Sequence, residues 1–543
     1  MKRIRIKNTN TNGEILKTIT MPRNMYMEVY EAVSGQDFKK DQLVEDIIKV
    51  EGVTYDNSGD FETKDNGKVY EYQISTPAQM RASVCLFRDK ERAKEFSITE
   101  DILCGGKYND IEMTTDSYLK DLLSKLSLGL TGAEKVDIPV ITDGEIDNNK
   151  FNVIIVKDID YTVTKPVKML KDGLTNEQVV KGIDVFDYEV KEIEQTAFDG
   201  AGIITPLAME AISKACGLDY TMAWCTIRSF MGIKGLLTCV DLEAYMRDYH
   251  NAKKNIVDYR GVERVITPMT IVVNESMAKL SKWFKGIEDY DRCMKAKGYD
   301  KYQHITDRIW VVKKANKYSK QVAETSYQML NLLKISKPEM EQLASENKNF
   351  LEKVRAKDKS ACLEFVGLNA KSLSNIEEDD DYEVQSKDDK LYKMLSCEFD
   401  EFIKIPAVQH TLEQNILRKT KNHLAGKFLL QDSSFKIIAP DAILFMNYLA
   451  KQQFNEYEGF KITNLNQIVG GLATRTWYIK YEEGMVFTGR YPMAGFFELS
   501  NEQLVQSKLH DRYCLYNNEI ITVNMRGTDL MEKSGADKLL LSA

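Results

Sequence analysis

Strand-like runs broken by glycine occur in two separate regions of this chain, with a polar, helical stretch between them. Residues 195–285 hold FDGAGIITP, SFMGIKGLLTCVD and RVITPMTIVV, interspersed with short helical segments such as LAMEAISKACG. Residues 420–540 return to β character with FLL, FKIIAP, MVFTGRYP and EIITVNM. In between, from about 285 to 365, KQVAETSYQMLNLLKIS and KPEMEQLASENKNFLEKV have helical spacing, and Pro338 suits the first turn of a helix. No periodic repeat runs through the chain, so the pattern is that of an α+β protein rather than a solenoid.

Residues 1–170 mix both kinds of element. VYEYQIS (69–75) alternates like a strand, KFNVIIVKDIDYTVT (150–164) reads as one long β-rich run, and SYLKDLLSKLSLGL (117–130) has helical spacing. The segment SLSNIEEDDDYEVQSKDDK (372–390) reads as an acidic loop. With 543 residues, the chain has room for two to four domains. Its 43% hydrophobic and 29% charged residues are ordinary for a soluble globular protein, and no run of 18 apolar residues would span a membrane. The N-terminal MKRIRIKNTNTNGEI lacks the apolar core of a secretory leader, so a cytoplasmic location is expected. Nine cysteines without a C-x-x-C pair, and only five histidines, argue against a disulfide framework or a zinc ribbon. A net charge of -8 excludes a body that coats nucleic acid with its whole surface, but leaves room for a local basic channel.

Several short stretches carry possible chemistry. In FDGAGIITP, Asp199, Gly200 and Gly202 form a tight turn where backbone can approach a ligand. In SFMGIKGLL, Lys234 stands between two glycines, a setting from which a lysine reaches a phosphate without crowding. Taken singly, these are a turn and a hairpin lysine. The D-x-D pairs Asp158/Asp160 in KDIDY and Asp289/Asp291 in EDYDR read as solvated charges at element ends. The tryptophans at 224, 283, 310 and 477, and Tyr491, read as core.

The order of these motifs resembles the RNA-silencing type of cellular RNA-dependent RNA polymerases and the related single-chain RNA polymerases of bacteriophages. STPAQMRASVCLF (75–87) stands where that family has S-x-S-Q-L-R-x-x-S-x-x-x-F, and DGAGIITP matches its D-G-x-G-x-I-S-P. MGIKGLL matches G-G-x-K-G-V, and NESMAKL approaches R-P-S-M-x-K-F, with Lys279 in the lysine position while Asn274 and Glu275 depart from it. SYQMLNLLKISKPEME (326–341) echoes the family's helical segment. HLAGKFLLQDSSFKIIAPD (423–441), MVFTGRYPMAGFFE (485–498) and EIITVNMRGTDLMEKSGAD (519–537) resemble the second barrel, as in the beta-prime subunit of multisubunit polymerases. The resemblance spans about residues 75 to 537, and the shared order carries more weight than any single motif.

It implies an α+β fold with two double-psi β-barrels: a mixed N-terminal region (1–170), a first barrel (171–285), a helical connector (286–371), the acidic loop (372–390) and an incomplete second barrel (391–543). It also implies a nucleotidyltransferase that makes RNA from nucleoside triphosphates on a nucleic-acid template. Compact size and composition lean towards the DNA-templated phage kind, which would place the protein in a bacterial host's cytoplasm. In this chemistry two Mg²⁺ ions about 3.5–4 Å apart activate the attacking hydroxyl and steady the leaving oxygens. Cationic side chains neutralise the anionic transition state, and the resemblance gives that part to Lys234, Lys279 and Arg490. Asp537 stands where the first aspartate of the metal-binding D-x-D-G-D loop would be; KLLLSA follows it, and no D-x-D-G-D occurs elsewhere. One carboxylate holds Mg²⁺ poorly, so the chain alone is expected to be inactive. A second polypeptide completing the barrel or an interrupted coding region is the expected explanation, ahead of a decayed remnant, because everything upstream reads as foldable.

Template phosphate contacts are expected from Arg81, Arg228 and the basic stretch Arg418, Lys419, Lys421 and Lys427; local ion pairing is the competing reading for the first two. The rival function is a non-catalytic nucleic-acid-binding or assembly subunit. No membrane partner is expected.

Overall fold

A computed structural model describes residues 3–53, 59–74, 84–108, 126, 128–141, 147–170, 186–317, 322–324, 336–367, 387–431, 437–451, 485–488, 495–498, 508–515 and 519–523. Its N-terminal layer is a six-stranded sheet in the order 15–22, 3–10, 43–51, 84–89, 69–74, 61–62. Alternation in RIRIKNTN turns Ile4 and Ile6 to one face, and a register shift in the ladder to 43–51 lets both Val44 and Ile47 join them there. Helices Met25–Ser34 and Ala93–Leu103 cover that face, with the rings of Tyr30 and Phe96 stacked 4.2 Å apart. Asn24 starts the first helix by accepting from the Met27 N–H, and Gly35, at φ 69°, ends it.

The central element is a seven-stranded mixed sheet. Its strands are β1 (Glu134–Pro139), β2 (Asn152–Val156), β3 (Ala201–Ile204), β4 (Trp224–Ser229), β5 (Ile233–Cys239), β6 (Thr270–Asn274) and β7 (Arg308–Lys314), in the spatial order β1-β7-β4-β5-β3-β6-β2. β3 runs parallel to β5 and β6 parallel to β2; the other ladders are antiparallel. NVIIV and TIVV are continuous apolar runs because both faces of the sheet are covered. Val153, Ile155, Ile271 and Val273 join a core that includes Ile212 of helix Pro206–Ala215 and Tyr290 of helix Ile287–Ala296. Their neighbours Ile154, Val156, Ile203 and Val272 face helices Leu242–Tyr249 and Ala442–Lys451. Each such side chain contributes roughly 1.5–3 kcal/mol by leaving water.

The two edge strands meet only through a single parallel bridge, Val140 to Phe151, and no sheet closes into a barrel among the described residues. The double-psi barrels expected from the motifs are therefore not observed as closed sheets; the fold is α+β with several mixed sheets. The sheet gathers strands from residues 134 to 314. It includes β7 from the stretch expected to be helical, where the β-branched and aromatic residues of RIWVV fit between β4 and β1. The run 150–164 divides at Lys157-Asp158: β2 ends there, and Ile159–Leu170 pairs in twelve steps with Phe186–Ala197 as a separate two-stranded hairpin.

Val322–Glu324 pairs with Leu429–Gln431 instead of starting a helix. Pro338 does lie in the first turn of helix Lys337–Arg355, where the Glu339 carboxylate accepts from the Ser336 N–H and hydroxyl. This helix packs with Lys359–Gly367, Lys387–Cys397 and Pro406–Leu424 around Phe365, Leu395 and Ile416. The acidic run 377–381 and most of 117–130 lie outside the described residues. The second β region contributes the short pairs Ile437–Pro440 with Ile520–Val523 and Met485–Thr488 with Gly495–Glu498. No described helix is long and apolar enough to cross a membrane. All nine cysteines are free, most of them buried as small hydrophobes.

Candidate functional site

Three motifs, two of them glycine-containing, meet at the end of the central sheet where β3 and β5 begin and β6 ends. DGAG enters β3, MGIKG turns into β5 and NESMAKL leaves β6, and backbone hydrogen bonds stitch them together. The Leu236 N–H donates to the Gly200 carbonyl at 3.0 Å, the Lys234 N–H to the Met277 carbonyl at 3.0 Å, and the Leu280 N–H to the Met231 carbonyl at 3.0 Å. Ile233 and Ala278 form an isolated bridge. The glycines are required by this crowding. A Cβ on Gly202 would collide with the Val272 carbonyl oxygen, and one on Gly235 would collide with the Gly200 carbonyl and stand 2.5 Å from Met277 Cε. Gly200 itself sits at φ 71°. Asn274, where the motif departs from the expected arginine, is a buried clamp: its Nδ2 donates to the Phe198 carbonyl and its Oδ1 accepts from the Met277 N–H at 3.3 Å.

Lys234 and Lys279 are brought together by this stitching. The bridge register sets Lys279 across from Gly232, where a Cβ would lie 3.5 Å from Lys279 Cβ, and Lys234 follows two residues along the same strand. Both lysines are half-buried. On the other side of β5, the β4 ladder pairs Arg228 directly with Lys234, so these two cations share one face of the sheet. Arg228 is only 8% exposed. Its Nη1 donates to the Ile227 carbonyl at 2.8 Å, its Nε has no hydrogen-bond partner, and no carboxylate pairs with it among the described residues. Desolvation pulls its pKa down to about 10. The Lys313 amine is also lowered, first by desolvation and then by Arg228 itself. A buried cation stripped of its hydration is costly, and an anion arriving at this face would lower that cost.

Acidic groups lie beside this corner. The Asp158 N–H donates to the Glu275 carboxylate at 3.3 Å, while Asp158 Oδ1 accepts from the Ser276 N–H at 3.3 Å. Burial raises the Asp158 carboxyl to about 7, with Glu275 and Asp199 adding to the shift. Asp158 is thus not the solvated strand-end charge its D-x-D spacing suggests. Asp291 differs in the same way: it is buried, accepting from Gln303 and paired with Lys295 at 3.0 Å. Nothing in the local sequence reveals the burial of Asp158, because Glu275 and Ser276, which meet it, come from more than 100 positions away.

The remaining expected site residues are placed apart from this corner or fall outside the description. Arg418, Lys419 and Lys421 lie on helix Pro406–Leu424 of the helical layer; Lys419 is buried, Arg418 and Lys421 are exposed, and exposed Lys427 follows the helix. Arg81, Arg490 and Asp537 lie outside the described residues, as do Trp477 and Tyr491. Trp224 and Trp310 are buried in the core as expected, and Trp283 is half-buried. Among the described residues no three histidine, cysteine, aspartate or glutamate side chains converge as metal ligands. The described corner therefore fits phosphate oxygens and does not by itself fit Mg²⁺.

No protein family and no curated protein matches the chain. Among solved structures it is similar to the RNA-dependent RNA polymerase QDE-1 from Thielavia terrestris, at 12% sequence identity and a TM-score of 0.36. That similarity covers 79% of this chain but 41% of the other, so the chain spans about two fifths of that protein's length. The function proposed below rests on this chain's own residues.

Proposed function

We propose that this chain is the core of a template-directed RNA polymerase, a nucleotidyltransferase whose Lys234, Lys279 and Arg228 hold the phosphates of an incoming nucleoside triphosphate. The observation that carries the reading is the meeting of DGAG, MGIKG and NESMAKL at one corner, where a buried arginine with no carboxylate partner among the described residues faces Lys234. These motifs also stand in the order found in two-barrel polymerases. In this reading Lys234 and Arg228 neutralise and orient phosphate oxygens on the sheet face. Lys279 reaches over from the adjoining turn, and the glycine-packed backbone beneath them keeps the cations from drifting as charge develops. Mg²⁺, when bound, would activate the attacking 3′-hydroxyl and steady the pyrophosphate; Asp537 is the residue of this sequence assigned to it. DNA is the proposed template, on the motif resemblance to the phage polymerases.

Two measurements test this. The first is binding of ATP and of a labelled oligonucleotide by the chain alone. The second is Mg²⁺-dependent RNA synthesis on DNA and RNA templates, with and without a polypeptide carrying a D-x-D-G-D loop. Binding by the wild-type chain is expected, with synthesis reduced about 100-fold or more by Lys234→Ala or Lys279→Ala. Oligonucleotide binding that ignores all three cations, with no synthesis in either format, would support an assembly subunit instead and defeat the proposal. Preference for the RNA template would overturn only the choice of DNA.

A further inference from the structure

Asp158 is the last residue before the long hairpin, and it grips the turn that delivers Lys279. Past the β2–β6 ladder, the Glu275 N–H still donates to the Val156 carbonyl at 3.0 Å. Asp158 then clasps the next two residues: its own N–H goes to the Glu275 carboxylate, and its Oδ1 receives the Ser276 N–H, each at 3.3 Å. Ser276 passes the connection on, since its Oγ accepts the Gly200 N–H at 3.3 Å. The segment 274–278 is therefore held on three sides: by Asp158, by the DGAG turn and by the Lys234 backbone. Lys279 follows immediately, between the Ala278–Ile233 bridge and the Leu280 N–H that donates to the Met231 carbonyl.

We propose that Asp158, acting through Ser276, is a positioning residue that sets the reach of Lys279 and loosens it when ionised. The inference deepens the phosphate-binding reading of the corner and rests on it for its functional meaning. Glu275 and Asp199 face Asp158 and oppose a second negative charge there. The other charged or titratable groups around it are its neighbour Lys157, whose carbonyl accepts from the Tyr448 hydroxyl at 3.0 Å, and Tyr259 and Arg260 on the far side of Glu275. Lys234 and Lys279 lie along the stitched backbone. With burial raising its carboxyl to about 7, Asp158 is neutral in mildly acidic solution and ionised in mildly alkaline solution. In the neutral form the three carboxyl groups share the space with less repulsion, and the turn stays seated. In the ionised form the cost of keeping a charge out of water, with repulsion from Glu275 and Asp199 added, outweighs the Ser276 hydrogen bonds that favour the carboxylate, and the turn carrying Lys279 opens more often.

The test uses the full chain with Asp158→Asn, which keeps the shape but cannot ionise, and Ser276→Ala, which removes the link to Gly200. Amide hydrogen exchange over residues 274–280, corrected for the intrinsic effect of pH, is followed from pH 6 to pH 8, alongside affinity for ATP. In the wild type, protection is expected to fall about tenfold across this range, since one pKa unit corresponds to a factor of ten, and ATP affinity is expected to fall with it. Asp158→Asn should hold the pH 6 values throughout, and Ser276→Ala should be low at both ends. Identical pH profiles in the wild type and Asp158→Asn, or wild-type protection in Ser276→Ala, would overturn the positioning role. If the exchange profile behaves as expected while no chain binds ATP, the latch stands and the polymerase reading falls.

Discussion

Replacing Arg228 by methionine should stabilise the unliganded protein while abolishing its response to anions. The guanidinium is 8% exposed and has no carboxylate partner among the described residues. Desolvation lowers its pKa from 12.5 to about 10, a difference of about 2.5 units. At about 1.36 kcal/mol per unit, the charged form costs the folded state roughly 3 kcal/mol. For a base with a depressed pKa this penalty is in force at every pH below about 10, hence throughout the working range. Methionine fills similar space without the charge but forfeits the hydrogen bond to the Ile227 carbonyl, worth about 1 kcal/mol. The expected net gain is about 2 kcal/mol, read by urea unfolding at neutral pH and low salt. Adding pyrophosphate should stabilise the wild type, by about 2.7 kcal/mol at one hundred times the dissociation constant, and leave Arg228→Met unmoved. A variant less stable than the wild type, with an unchanged pyrophosphate response, would show that Arg228 serves the core and not an anion.

Substitutions at three further positions probe the same frame. Gly235→Ala forces a Cβ into the Gly200 carbonyl and Met277, and should lower stability by about 1–3 kcal/mol in thermal or urea unfolding; an unchanged melting temperature would mean the three motifs are not stitched as described. Asn274→Ala strips the buried Phe198 carbonyl and Met277 N–H of their partner and should cost about 2–3 kcal/mol, with Asn274→Asp failing to restore it because a carboxylate cannot donate to the carbonyl. Asp307, 5% exposed, has its carboxyl raised to about 7, first by desolvation. The folded state thus holds a proton that the unfolded state releases near 4, and stability falls as pH rises from about 4 to about 7. Asp307→Asn should therefore match the wild type near pH 4 and exceed it at pH 8 by up to about 4 kcal/mol, from about 3 units at 1.36 kcal/mol each; equal pH profiles would refute the assignment.

The glycines of DGAG and MGIKG announced themselves in the sequence because absence of a side chain is a local property. Where a Cβ would strike a carbonyl oxygen, no distant residue can make room, and the motif keeps its form. Lys234 and Lys279 were legible for the same reason, each at a fixed offset from a turn. Asn274 was not: its value as a clamp depends on the Phe198 carbonyl, 76 positions away. β7 lies within the polar, helical-reading stretch of 285–365, and its place between β4 and β1 makes it a strand.

From its own residues, then, this chain determines that it is α+β, that glycine-broken strands must pack backbone against backbone, and which lysines flank those breaks. Tertiary structure alone decided the charge states. Arg228 becomes a buried cation only when β7 closes over β4 from some 80 residues away. Asp158 holds its proton more tightly only when the fold buries it and lays Glu275, 117 positions on, beside it. Backbone shape follows from sterics within a few residues, whereas a pKa follows from the dielectric and the charges that the whole fold gathers around one atom.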